Sequence, residues 1–168
     1  ILMMAATPLS MKHSGLVGDV PFVIQWHMFA MFAPSFIAGS LIGRFGYQKV
    51  VMLGFFLFFG GIAAGLTGVS VSHYFITNVL IGAGWNFMLI GSTALLVTCH
   101  TEAEKGKVQG ANDTIAYILA AISSFFAGYL QIEFGWNAVM IAIIPQVLIV
   151  GAAVWWMRVA GTRAMPAE

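Results

Sequence analysis

Charge is what this sequence has least of. Asp, Glu, Lys and Arg together make 8% of its 168 residues, against roughly a quarter in a soluble domain. The net charge is +1, so there is no basic field of the kind that holds nucleic acid. Cysteine is nearly absent too, and the single Cys99 supports neither a disulfide framework nor a thiolate metal cluster. His13, His73 and His100 fall in separate expected loops without ligand spacing, so no metal site is expected. The sequence carries no P-loop, no nucleophile elbow and no paired catalytic carboxylates. It therefore gives no reason to expect a cofactor or an enzyme. What is abundant is apolar surface: 60% hydrophobic residues and a mean hydropathy of +0.93. A soluble globule of this length cannot hide that much, which points to an integral membrane protein.

The positions of the few charges set the architecture. A helix crossing about 30 Å of hydrocarbon needs roughly 20 apolar residues. Residues 20–43, 50–101, 114–132 and 134–157 carry no Asp, Glu, Lys or Arg. The second of these runs would reach about 80 Å as one helix, so it folds back, and TGVSVSH at 67–73 is its only polar, small-residue stretch. Five complete helices are expected, at about 21–43, 50–68, 74–98, 114–132 and 135–157. The apolar segment 1–11 is too short to cross. It has no basic segment before it and no evident cleavage site, unlike a signal peptide. It is expected to be a truncated first helix of a chain that extends upstream. A cytoplasmic tail is expected over 158–168. Continuous apolar runs without alternation argue against a β-barrel, and helices satisfy their own backbone in lipid.

With spans alternating sides, Arg44, Lys49, Lys105, Lys107, Arg158 and Arg163 share one face, and only Lys12 lies opposite. The basic face is expected to be cytoplasmic, which puts the C-terminus there. Trp136, Trp155 and Trp156 sit near expected interfaces, whereas Trp85 falls in mid-span.

Polar groups at membrane depth are costly and mark function. In the first complete span these are Gln25 and His27. In the third they are Asn78, Gly82, Trp85, Asn86 and Thr93, and in the fourth Asp113, Tyr117, Ala121, Ser124, Gly128 and Gln131. Spacings of three, four and seven put each set on one helix face. Gln25, His27, Asn78, Trp85, Asn86, Tyr117 and Ser124 are the candidates for a substrate cavity. Each has a plainer alternative. Asn86 could bond a neighbouring helix, and Trp85 could simply pack. His27 has an unperturbed pKa suited to proton relay but could also be a hydrogen-bonded interfacial group. Gln25 lies about 200° round the helix from it, so the two cannot share a cavity squarely. Asn112 and Asp113 are expected to cap the fourth helix. Gly39-x-x-x-Gly43 and Gly61-x-x-x-Gly65 are expected to be close helix contacts.

The stretch Gly39-Ser40-Leu41-Ile42-Gly43-Arg44-Phe45-Gly46-Tyr47-Gln48-Lys49-Val50 resembles the loop signature of the major facilitator superfamily. Gly43 stands where that pattern has Asp, an acid that belongs mainly to the copy in the family's N-terminal half. The resemblance thus implies a C-terminal half. Gly82-Ala83-Gly84-Trp85-Asn86-Phe87, Glu104-Lys105-Gly106-Lys107-Val108-Gln109, Asn112-Asp113, Gly128 and Gly135-Trp136 are similar to a bacterial permease subgroup of the same superfamily. The fold so implied is all-α: the C-terminal six-helix half of a twelve-helix major facilitator fold, with its first helix truncated. Three of the helices would be inner and two would be outer supports, and the outer pair matches the second and fifth spans, which lack polar stripes. The implied function is secondary transport of a small organic solute by alternating access, driven by an ion gradient, that of protons. Gly39, Gly43, Arg44, Gly46, Lys49 and Asp113 would belong to the cytoplasmic gate loops. The implied partners are that solute, membrane lipid and the missing N-terminal half of the same chain. The competing class is a membrane scaffold or sensor that transports nothing, against which the polar stripes and the loop signature argue.

Overall fold

In the computed structural model, residues 1–163 are described, with side chains to Trp156. Of the tail expected over 158–168, residues 164–168 lie outside that range, as do the side chains of Arg158 and Arg163. No strand occurs among the described residues. The helices are α1 (Leu2–His13), α2 (Val20–Phe32), α3 (Ser35–Phe45), α4 (Tyr47–Leu66), α5 (Val71–Val97) and α6 (Lys105–Arg163), with one 3-10 turn, Val17–Asp19, ahead of α2.

The last helix runs to Arg163 rather than ending near 157, and two further boundaries differ from the sequence expectation, each for a local reason. The helix expected over 21–43 is two helices separated at Ala33 and Pro34. Pro34 has no N–H, so the Ala30 carbonyl loses its donor one turn on. Both junction residues keep helical dihedrals, Ala33 at φ −56°, ψ −40° and Pro34 at φ −64°, ψ −16°. The crossing Val17–Phe45 therefore continues through the break. The fourth helix begins at Lys105 rather than near 114. Its start is held by Glu104, whose Oε2 accepts hydrogen bonds from the Thr101 N–H at 3.2 Å and the Thr101 hydroxyl at 2.7 Å. Thr-x-x-Glu is the capping-box pattern, and it places Asn112 and Asp113 inside the helix instead of at its cap.

α6 is too long for one crossing, and it is interrupted once, at Gly135, with φ 76° and ψ −174°. Only glycine adopts that conformation at low cost. Ala127 and Leu130 before the break share one core with Trp136, Val139 and Met140 after it. A straight rod would carry residue 127 about 13 Å beyond Trp136, so the chain reverses at Gly135. α6 thus supplies two arms, 105–134 and 136–163.

The tightest packing is between α4 and α5. A methyl group built on Gly54 would stand 2.6 Å from the Gly84 carbonyl oxygen, and one on Gly84 would stand 2.7 Å from the Gly54 carbonyl oxygen. One turn pair along, Gly61 lies against Ile81 and Thr77, and at the other end Gly91 lies against Val51. Glycine at 54 and 61 on α4, and at 84 and 91 on α5, repeats every seven residues, so it stays on one face as the antiparallel helices run past each other. The expected contacts at Gly61 and Gly65 are made; Gly65 packs on Met140 and Thr77. Those expected at Gly39 and Gly43 are not: nothing lies within 4 Å of a methyl group at either position.

The main core joins α1, α2, α4, α5 and the second arm of α6, with Ala127 from the end of the first arm. A separate small core of Ala38, Val50 and Phe87 holds α3 against α4 and α5. The first arm of α6 is the least covered element. From 111 to 126 only Ala120 and Ser123 are even half-buried. Its apolar side chains Ile115, Ile118, Leu119, Phe125 and Phe126 are all exposed, as suits a surface facing lipid or further protein.

Candidate functional site

The polar residues that the sequence places at membrane depth divide into two groups in space. His27, Asn78 and Asn86 are buried and bonded between helices. Gln25, Tyr117 and Ser124 are exposed, and Trp85 is half-buried.

The buried group ties α2 to α5. The His27 ring donates through Nδ1 to the Asn78 carbonyl at 2.8 Å. Gly82, one turn on, makes the approach possible, since a methyl group there would stand 2.8 Å from the His27 carbonyl oxygen. Asn78 donates to the Tyr74 carbonyl at 2.8 Å and meets the Thr7 hydroxyl of α1 at 3.4 Å. Tyr74 extends the network. Its hydroxyl pairs with that of Ser10 at 2.6 Å and that of Ser14 at 3.2 Å, and its ring meets Trp136 edge-on at 4.9 Å. Trp136 is 5% exposed and donates from Nε1 to the Gly65 carbonyl at 2.9 Å. It therefore fastens the last turn of α4 rather than anchoring in the headgroups. In lipid such bonds hold helices in register because no water competes for them. Thr7, Ser10, Tyr74 and Trp136 were not among the sequence candidates. A single polar atom on an otherwise apolar helix gives no periodic signal, and only the fold brings four of them together.

Asn86 makes the second tie, at the Pro34 break. Its Nδ2 donates to the Met31 carbonyl at 2.6 Å and to the Ser35 hydroxyl at 2.7 Å. The two acceptors flank Pro34, so α5 holds both ends of the interrupted span. Its Oδ1 is buried without a partner among the described residues.

The exposed group borders two concavities. Gln25 lies in a groove of about 630 Å³ along α2 and the start of α3, with Trp26, Met28, Phe29, Phe32 and Phe36. Trp26 stacks edge-on with Phe29 at 5.5 Å and Phe75 at 6.1 Å. Trp85 lines a smaller cleft of about 310 Å³ between α1, α5 and the second arm of α6, with Met88, Ser92, Ile143 and Gln146. Tyr117 and Ser124 lie on the uncovered first arm of α6, with Tyr117 77% exposed. The structure does not bring them to the α2 groove.

Of the residues expected in the cytoplasmic gate loops only Gly46 lies between helices; Gly39, Gly43 and Arg44 lie in α3, Lys49 in the first turn of α4 and Asp113 in α6. Gly46, with φ 82° and ψ 154°, turns the chain between α3 and α4. Its N–H still closes α3 on the Ile42 carbonyl at 2.8 Å. Gly39, Gly43, Arg44 and Lys49 are exposed. The Arg44 guanidinium lies 5.3 Å from the Phe45 ring centre. Asp113 is exposed and accepts from Asn112 Nδ2 at 3.2 Å. Glu104 lies on the same face as Arg44, and its two bonds from Thr101 hold the carboxyl below the usual carboxylate range. No group of three or more potential metal ligands occurs among the described residues.

The sequence is similar to known proteins. The sequence profile of the Major Facilitator Superfamily matches residues 2–167. The chain is 44% identical over 148 residues to the riboflavin transporter RfnT of Brucella anthropi, a match covering 88% of this chain and 37% of the relative. It is 33% identical over 159 residues to the uncharacterized MFS-type transporter YdeG of Bacillus subtilis, covering 92% of this chain and 37% of the relative. To multidrug resistance protein 2 of the same organism it is 28% identical over 127 residues, covering 74% of this chain and 30% of the relative. The match thus spans between 30% and 37% of the length of these relatives. No solved structure gives a significant match.

Proposed function

The chain belongs to the Major Facilitator Superfamily, and from that premise we propose that it is the C-terminal half of a twelve-helix secondary carrier for a small organic solute. In that carrier α1 is the outer part of the seventh helix. The exposed first arm of α6 then faces the N-terminal half and the shared cavity. Two six-helix halves rocking about a midplane site alternate its access between the two sides. The basic face carrying Arg44, Lys49, Lys105 and Lys107 is cytoplasmic by the positive-inside rule, in the inner membrane of a bacterium. A proton gradient drives the cycle.

The solute is a planar heteroaromatic compound with hydroxyl groups, of the riboflavin kind. The observation that carries this is the α2 groove. Trp26, Phe29, Phe32 and Phe36 offer ring faces along one side of a crossing, and the Gln25 amide supplies the hydrogen bonds that orient a ligand. The 44% identity to a riboflavin transporter supports the same choice. Gln25 then belongs to the solute groove, Trp85 to the separate cleft beside α1, and Tyr117 and Ser124 to the uncovered arm of α6, while His27, Asn78 and Asn86 hold the helices that shape the groove.

The test is uptake by proteoliposomes of the full-length protein. Riboflavin is expected to enter, and to enter faster under an inward proton gradient. Trp26→Ala and Phe29→Ala are expected to raise the apparent KM by tenfold or more while leaving the amount reconstituted unchanged, since an aromatic stack is worth about 1 kcal/mol beyond its buried area. If flavins are not moved while another member of a solute panel is, the solute assignment fails and the carrier assignment stands. If no solute moves, both fail.

A further inference from the structure

A third concavity belongs neither to the α2 groove nor to the Trp85 cleft. It lies between the start of α4 and the second arm of α6 and has a volume of about 700 Å³. Tyr47, Gln48 and Lys49 form its mouth, Met52, Leu53 and Phe56 form one wall, and Val154 and Trp155 form the other. The α4 wall is the helix face opposite the glycine seam, so α5 does not cover it. Leu53 is 41% exposed, and Phe56 and Trp155 are 64% exposed each.

Among the described residues its charge is of one sign. Lys49 stands in the first turn of α4, and no acidic residue follows Asp19 until Glu102. The sole ion pair among the described residues joins Lys105 to Glu102 at 3.5 Å. The first turn of α4 has no acid and no side-chain cap, so its free N–H groups add positive potential beside Lys49. Arg44 stands next to this mouth, over the ring of Phe45, which also lines the groove. From Tyr47 to Phe56 the α4 wall runs about 14 Å, close to the hydrocarbon depth of one leaflet, about half of 30 Å.

We propose that this groove binds an anionic phospholipid, with the phosphate at Lys49 and the open end of α4 and one acyl chain along Met52, Leu53 and Phe56 against Trp155. A cationic mouth at the interface and an apolar channel one leaflet deep complement both parts of such a molecule. A neutral solute would leave Lys49 unmatched, and a free anion would leave the apolar walls bare. The proposal rests on the placement of the 44–49 turn at a membrane–water boundary and is independent of which solute is carried.

Trp155 supplies the probe. The full-length protein is placed in phosphatidylcholine vesicles containing acyl-brominated phosphatidylglycerol or acyl-brominated phosphatidylcholine. The difference between the wild type and Trp155→Phe isolates the Trp155 emission. Phosphatidylglycerol is expected to reach half-quenching at about one-fifth the mole fraction that phosphatidylcholine needs, the factor that corresponds to about 1 kcal/mol for one basic residue at a membrane surface. Lys49→Gln is expected to abolish the preference and Lys49→Arg to keep it, with thermal unfolding measured for both. Should Lys49→Gln fail to reconstitute, the wild type in 1 M salt serves the same purpose, since a Debye length of about 3 Å screens the mouth. Equal quenching by the two lipids overturns the proposal, as does a preference that survives charge removal or salt. Displacement of the lipid by soluble glycerol phosphate at equal concentration would make the site one for a free anion and overturn it as well.

Discussion

The α4–α5 seam allows a mutational test in which most confounding terms cancel. Gly54→Ala and Gly60→Ala each add one methyl group to the same helix, and each gains the same helix propensity, about 1 kcal/mol at most. The surroundings differ. At Gly60 the added carbon would meet only Leu80 Cδ1, at 3.6 Å, an ordinary contact. At Gly54 it would stand 2.6 Å from the Gly84 carbonyl oxygen and 2.9 Å from the Met88 nitrogen. Those are backbone atoms of a packed helix and cannot rotate aside. Relief to an ordinary separation needs a shift of about 0.8 Å at the crossing. A gap of that size along the rest of the seam forfeits a quarter to a half of each affected dispersion contact, and overpacking of this kind costs about 1–3 kcal/mol. Gly54→Ala is therefore expected to be less stable than Gly60→Ala by about 1–3 kcal/mol. The assay is reversible unfolding of the full-length protein in mixed detergent micelles, followed by tryptophan emission. Equal stability of the two variants would refute the close approach of Gly54 to Gly84, and with it the account of why glycine recurs every seven residues on both helices.

Three further outcomes are expected. Asn86→Ala removes two hydrogen bonds worth about 0.6 kcal/mol each within a membrane, so it should lower unfolding stability by about 1 kcal/mol with solute KM unchanged. A raised KM at unchanged stability would return Asn86 to the cavity group. Gly46→Ala forces a side chain into a positive-φ region that is essentially confined to glycine, at a cost of about 1–3 kcal/mol. Its unfolding midpoint should fall accordingly, whereas Gly46→Asn should not restore it, because asparagine tolerates the left-handed helical region and not a ψ of 154°. The Glu104 carboxyl is held below its ordinary value of 4.5 by Thr101, so its contribution to the start of α6 is complete above the unfolded pKa and is lost as pH falls through the lowered one. Hydrogen exchange, corrected for its intrinsic pH dependence, should show constant protection of residues 105–108 from pH 7 to about pH 5 and a decline below that. Glu104→Gln should show no such decline.

Particular residues show how far the sequence reached. Charge-free runs coincide with the long apolar helices because a buried charge in lipid is costly wherever it occurs, so no knowledge of neighbours is needed. The separation of the last two spans near Gly135 was legible because Glu133 interrupts the charge-free run. The Pro34 break was not expected, although the proline is plain in the sequence, because a kinked span and a straight one have the same composition. The start of α6 was placed too late. The expected start followed the last charge, Asp113, and the Thr101–Glu104 cap that sets it earlier is a local signal that the charge pattern masked.

What the sequence determined by itself is an all-helical chain made for lipid, with the side that carries its cations and the loop pattern of its superfamily. These depend on transfer free energy and on local chemistry, which act residue by residue. Only the tertiary structure decided which polar groups hold helices and which stay open. His27 and Gln25 are two residues apart, yet one is bonded to the Asn78 carbonyl and the other borders an aromatic groove. Gly39-x-x-x-Gly43 and Gly61-x-x-x-Gly65 have the same spacing, yet only the second meets other helices among the described residues. Periodicity says which residues share a face. What that face meets depends on how the helices pack, and that is fixed by contacts far apart in the chain.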